Sequence, residues 1–197
     1  MRNLLVYFLS FCSFATHAQN GVTKSSNGSQ TLRYDLNEDG AIDKITLKPL
    51  YSTVMGPYQL TVALAGKPPV SMRMEDQYIT LEEWPRGFSI GVDSRTQKET
   101  YFFSMSSQST SPIIEEASVV FFADNDRFVD CGWTFMDRDK VSVKWLYTNS
   151  TGVTLTCDEK SFTTGQISSP ALAQFDSWRD KFFEKLEPYR ESECEIK

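Results

Sequence analysis

Histidine is nearly absent from this 197-residue chain, and the single one, His17, stands in an N-terminal segment that reads as a removable leader. Without it the chain has no imidazole, which excludes Ser-His and Cys-His hydrolysis, histidine-containing zinc sites and imidazole acid–base chemistry. Basic residues are also scarce. Lys and Arg number 20 against 26 Asp and Glu, a net charge of −6, and no stretch of sequence forms the basic stripe that tracks a phosphate backbone. This balance disfavours nucleic acid and anionic lipid and favours basic proteins or divalent cations. The apolar run Leu4 to Phe14 is shorter than the about 20 residues that span a bilayer, so no stable membrane span is expected.

That run follows a lone positive charge at Arg2 and precedes Ala15-Thr16-His17-Ala18, with small side chains where a signal peptidase inspects the chain. Residues 1–18 therefore read as a signal peptide cut after Ala18, and the protein as periplasmic or secreted. Lipid attachment at Cys12 is disfavoured by the bulky Phe11 before it. Loss of Arg2 leaves 19 basic against 26 acidic side chains, a net of −7. Residues 19–30 are polar, without apolar period, and read as a flexible leader; residues 31–197 suffice for a single domain. Cys131, Cys157 and Cys194 remain, and export predicts one disulfide and one free thiol. If the strands carrying Cys131 and Cys157 flank a common strand, they stand roughly 10 Å apart, beyond disulfide reach, which favours a bond to Cys194. A different strand order reverses that preference.

Short alternating segments predict strands at Thr31 to Tyr34, Ile42 to Lys48, Tyr58 to Ala65 and Gln77 to Leu81. Phe88 to Val92 and Glu99 to Met105 read as a hairpin turning at residues 93–97. Ala117 to Phe122, Arg127 to Met136, Val141 to Thr148 and Val153 to Cys157 follow, with turns at Asp137 to Lys140 and Asn149 to Gly152. Only the end looks helical. Ser169 can cap, Pro170 suits the first turn, and Leu172, Phe175, Trp178, Phe182 and Leu186 share one face before Pro188 stops a helix over about 170–187. The expected fold is mainly β, an antiparallel sandwich or curved meander, with one C-terminal α-helix packed on a sheet.

The sharpest motif is Asp35-Leu36-Asn37-Glu38-Asp39-Gly40-Ala41-Ile42-Asp43. Oxygen side chains stand at relative positions one, three, five and nine, and glycine at six. Calcium takes six to eight hard oxygen ligands at flexible distances, so such a loop can wrap it, with the Ala41 carbonyl as a further ligand. The same residues also suit a metal-free turn. The helix-loop-helix calcium module needs a bidentate Glu at position twelve, where this chain has Thr46. The loop resembles instead those of bacterial secreted β proteins of the FG-GAP and VCBS type. That resemblance implies Asp35, Asn37, Asp39 and Asp43 as side-chain ligands of Ca2+, with Asp43 opening the next strand. The acidic segment Asp124 to Asp126, with Asp130, lacks the glycine and reads as a solvated turn.

Gly87-Phe88-Ser89-Ile90-Gly91 matches the nucleophile elbow of α/β hydrolases, but it lies in β-patterned sequence and has no histidine to activate Ser89. Glu82-Glu83 beside Trp84 is the first place to look for a carboxylate-only glycosidase, yet adjacent strand residues face opposite sides. The expectation is a non-enzymatic protein. A signal, one calcium loop after the first strand, a β body and a disulfide-capable end make the chain similar, over residues 31 to 160, to periplasmic lysozyme inhibitors and secretion-system immunity proteins. That likeness implies a protein partner in the envelope, such as a basic muramidase-like toxin. The alternative is a calcium-stabilised carbohydrate-binding or structural envelope module; a glycan platform would draw on Trp84, Trp133 and Trp145 if these are exposed.

Overall fold

Period-two alternation turns one face of a strand to the core and the other to solvent. In β3 the pattern is plain: Ile45 and Leu47 are buried while Lys44 and Lys48 are exposed. The computed structural model describes residues 21–51, 56–76, 78–105, 109–122, 127–134, 140–148, 154–163 and 171–190. Within them β1 (Thr23–Lys24), β2 (Gln30–Tyr34), β3 (Asp43–Pro49), β4 (Tyr58–Ala63) and β5 (Val70–Met74) form a five-stranded sheet in chain order. A second, seven-stranded sheet runs through β6 (Ile79–Trp84), β7 (Gly87–Asp93), β8 (Gln97–Ser104), β9 (Ile113–Phe122), β10 (Arg127–Thr134), β11 (Lys140–Thr148) and β12 (Thr154–Thr163). Every paired neighbour is antiparallel, as short connections between consecutive strands require. The mainly β fold with a C-terminal helix is thus the one the alternation predicts.

A single 3₁₀ turn at Leu172–Gln174 leads into α1 (Phe175–Arg190). The Leu172 amide donates to Pro112 O at 2.9 Å, which ties the start of the helical segment to the beginning of β9. Leu172, Phe175, Trp178, Phe182 and Leu186 are all buried, as their spacing predicts. Phe175 stands edge-on to Tyr101 at 4.8 Å between centroids, and Phe183 edge-on to Phe121 at 6.1 Å. The helix therefore lies across the face of the second sheet that carries Tyr101, Phe103 and Phe121. Apolar side chains of both sheets and α1 belong to one contiguous core. Among the described residues no helix is long and apolar enough to cross a membrane.

The sheets are also joined by a side chain. Gln30, only 7% exposed, donates through Nε2 to Ile79 O at 3.1 Å and accepts the Leu81 amide on Oε1 at 2.9 Å. Its amide thus bonds to the edge of β6 as a neighbouring backbone would.

Several expectations need correction. The stretch read as a leader, 19–30, contains β1, which pairs with β2 through Thr23 opposite Thr31. β5 was not expected; Val70-Ser71-Met72-Arg73-Met74 alternates, but it follows two prolines and relies on methionine, a weak strand signal. The strand predicted over 77–81 occupies Ile79–Trp84. Pro188 does not stop α1, which continues to Arg190, because a proline in the last turn costs only one terminal hydrogen bond. The hairpin at 93–97 forms as expected, with Ser94 Oγ accepting the Gln97 amide at 3.1 Å. β11 lies between β10 and β12, so the strands carrying Cys131 and Cys157 are two spacings apart, about 10 Å. The side chains of these cysteines, Cys194, Trp133, Ser169, Pro170 and the Asp124–Asp126 cluster lie outside the described residues.

Candidate functional site: the Asp35–Asp43 loop and the surrounding charges

The loop between β2 and β3 is wound by its own carboxylates. Asp35 accepts the Asp39 amide on Oδ1 at 3.1 Å and the Gly40 amide on Oδ2 at 2.8 Å. Asn37 Oδ1 accepts the same Asp39 amide at 3.3 Å, so one oxygen from Asp35 and one from Asn37 converge on a single point. Asp39 Oδ1 in turn accepts the Ala41 amide at 2.8 Å, and Oδ2 accepts from Asn37 Nδ2 at 2.9 Å. The Ala41 bond first, then that from Asn37, holds the Asp39 carboxyl below its ordinary pKa. Gly40 has φ of 86°, the left-handed turn that position six demands and that side chains resist. Glu38, at φ of 57°, enters the same region and is exposed.

Asp43 plays a different part. It is fully buried, with Oδ2 accepting the Leu36 amide at 2.9 Å and Oδ1 the Ala65 amide at 2.8 Å. One carboxylate thereby fastens the loop to the start of β3 and to the β4–β5 turn. Charge-assisted bonds of this kind are among the stronger polar contacts of a fold.

The residues suit calcium in donor type: the exposed carboxylate of Asp39, the half-buried one of Asp35, an amide oxygen that already converges with the latter, and a glycine turn at the required position. An ion held there would displace the Asn37–Asp39 contact, since Asp39 Oδ2 must leave an amide donor to meet a cation. Among the described residues, no group of three or more His, Cys, Asp or Glu side chains is gathered to hold a metal ion. In this conformation the carboxylates are engaged by loop amides.

A second charged assembly lies under α1, and sequence reasoning missed it. Glu99, on the inner face of β8, is 1% exposed. Arg179 reaches it through Nη2 to Oε1 at 2.7 Å and Nε to Oε2 at 2.8 Å. The same guanidinium binds both Asp76 oxygens, at 2.9 and 3.0 Å. The Tyr101 hydroxyl donates to Glu99 Oε2 and accepts from Arg179 Nε at 3.2 Å. Burial opposes the charge of Arg179, but hydrogen bonds to Glu99, the neighbouring Tyr101 and hydrogen bonds to Asp76 outweigh it and raise its pKa. Burial, and then the Glu99 charge, push the Tyr101 phenol well above its usual range. Arg179 therefore stays charged and the Tyr101 phenol neutral, and the hydrogen bonds among these four side chains clamp the helix to the sheet. Beside it opens a cleft of about 560 Å³, lined by Glu75, Asp76, Asp93 and Glu99 together with Arg95.

The other singled-out residues have plain positions. Ser89 is buried in mid-strand opposite Phe102 and Glu82, not at a strand-to-helix turn. Glu82 and Glu83 are consecutive on β6 and so point to opposite faces. Glu115 and Glu116 both pair with Arg86, each at 2.7 Å. Arg86 covers the Trp84 ring at 4.5 Å, and the adjacent Phe102 ring is tilted by 49°, so these rings do not form a coplanar platform. Trp145 is buried in β11. Comparison of the chain with protein-family models, with curated proteins and with solved structures finds no match to any of them.

Proposed function

We propose that the protein is an exported, non-enzymatic binding protein whose Asp35–Asp43 loop takes one calcium ion. Its partner on this reading is another envelope protein, bound in the manner of an inhibitor or immunity protein against a basic, peptidoglycan-degrading toxin. The observation that carries the calcium reading is the convergence of Asp35 and Asn37 oxygens at the Asp39 amide beside the left-handed Gly40. Asp35, Asn37, Asp39 and the Ala41 carbonyl would hold the ion, with Asp43 anchoring the loop from beneath. Calcium would add a positive centre that fixes the loop and offsets its carboxylates. The excess of acidic over basic side chains, a net charge of −6, favours a basic partner and would speed encounter with it.

Calorimetric titration of the full chain with calcium chloride tests the first half. A single site of about 10⁻⁴ to 10⁻³ M, lost in Asp39→Ala, is expected; no heat beyond dilution would reduce the loop to a turn. Capture from envelope extracts in calcium and in chelator tests the second half. Recovery of an identified peptidoglycan hydrolase, weakened in Asp39→Ala, supports the reading, whereas recovery of glycan alone opposes it.

A further inference from the structure

The register of the first sheet assembles a surface that no stretch of sequence reveals. Strand pairing places Thr23, Thr31, Thr46, Thr61 and Ser71 side by side in one row across all five strands. Alternation turns this row away from the core, because the intervening Leu32, Ile45, Leu47, Leu60, Val62 and Met72 are buried. At the usual strand spacing the row extends about 19 Å. Thr61 and Ser71 share a hydroxyl hydrogen bond at 2.9 Å.

Cations border the row on both sides. Arg33 stands opposite Lys44 on one side; Lys48, Gln59 and Arg73 line up on the other. Lys44 and Lys48 are separated by about 13 Å along β3. Arg33, Lys44, Lys48 and Arg73 are all exposed, and only Arg73 has a carboxylate partner among the described residues, Glu75 at 2.7 Å. Like charges directly opposite one another on neighbouring strands are unfavourable, so the Arg33–Lys44 pair does not serve stability. It is also out of keeping with a chain in which acids exceed bases by six.

We propose that this outer face binds an acidic polysaccharide, laid across the strands along the hydroxyl row with its carboxylates against the flanking Arg and Lys. The chemistry selects this occupant. Hydroxyl side chains exchange hydrogen bonds with sugar hydroxyls, and a polyuronate repeats its carboxylate once per sugar, at a spacing comparable to that between strands. Among the described residues, the outward strand positions of this face carry no aromatic side chain on which nucleic-acid bases could stack. Nor is any of these outward strand positions a large apolar side chain of the kind that dominates protein interfaces; the exposed Ile42 and Leu50 lie beyond the two ends of β3. A row of about 19 Å suits an extended chain rather than a small molecule.

The experiment is a titration of the full chain with oligogalacturonate in chelator, which keeps calcium out of both partners. Amide shifts should concentrate on residues 31, 33, 44, 46, 48, 59 and 61, and affinity should fall steeply with added salt. The triple variant Arg33→Gln, Lys44→Gln, Lys48→Gln should weaken binding about tenfold, the scale of three exposed charge contacts. Lys181→Gln with Lys185→Gln, on the exposed side of α1, should leave it unchanged. Absence of amide shifts in the unaltered chain, or equal loss in both variants, would overturn the proposal. So would single-stranded DNA binding the same face as tightly, which would make the site a general polyanion surface. Because the mapping is done on the unaltered chain, a variant that fails to fold leaves the test intact.

Discussion

At the second sheet two arginines each hold two carboxylates: Arg179 binds Glu99 and Asp76, and Arg86 binds Glu115 and Glu116. On the first sheet Arg33, Lys44 and Lys48 face outward with no described carboxylate in salt-bridge contact. The difference follows from what covers each surface. α1 lies over the inner face of the second sheet, so Glu99 is taken out of water and must be matched by a buried cation. Nothing among the described residues covers the outer face of the first sheet, so its cations need no partner from the chain. The buried pairs therefore report on architecture, whereas the exposed cations of the first sheet remain open to solvent.

The largest effect should come from breaking the clamp. Arg179→Met leaves Glu99 buried and unpaired and should cost about 3–5 kcal/mol in urea unfolding. A loss below about 1 kcal/mol would show that Glu99 can reach water and that the helix is loosely held. Asp43→Ala comes next. It strands the Leu36 and Ala65 amides, and a loss of about 3 kcal/mol is expected by the same measurement. Gln30→Ala, which leaves Ile79 O and the Leu81 amide without their partner, should cost about 2 kcal/mol.

By contrast, Lys44→Thr on the outer face should alter stability by no more than about 0.5 kcal/mol. A large loss there would erase the contrast between the sheets. The smallest effect concerns pH. Burial first, with the charges of Asp180, Asp76 and Glu75, raises the Asp176 pKa despite the lowering influence of Arg179. A carboxyl whose folded pKa is raised favours folding when protonated, and that contribution disappears as pH rises through the folded value. Asp176→Asn should therefore stabilise the protein slightly at neutral pH, and the advantage should fade below the unfolded pKa of about 3.9. Unfolding curves at pH 7 and pH 3.5 would show it; an advantage that persists at the lower pH would assign the effect to something other than ionisation.

Much of the fold was legible because its signals are local. Ile45 and Leu47 alternate with lysines, and the apolar stripe of α1 needs only its own spacing. β1 and β5 were not legible, since two residues carry no period and the Met72–Met74 pair carries a weak one. The loop's donor pattern was visible in nine consecutive residues, but the role of Asp43 was not, because its second amide belongs to Ala65, 22 positions away. Arg179 meets Glu99 across 80 positions and Asp76 across 103. The basic face was hidden for a related reason: Arg33, Lys44, Lys48 and Arg73 come from three strands, and only the pairing register brings them to one face.

The amide of Gln30 has a consequence for how copies of the protein meet in crowded surroundings. β6 is the outermost strand of its sheet, and the free backbone of an outermost strand is a template on which another chain can add a strand. Gln30 occupies Ile79 O and the Leu81 amide, the very groups an incoming strand would need first. A single side chain from the neighbouring sheet thus closes this part of the β6 edge to strand addition without lengthening the sheet.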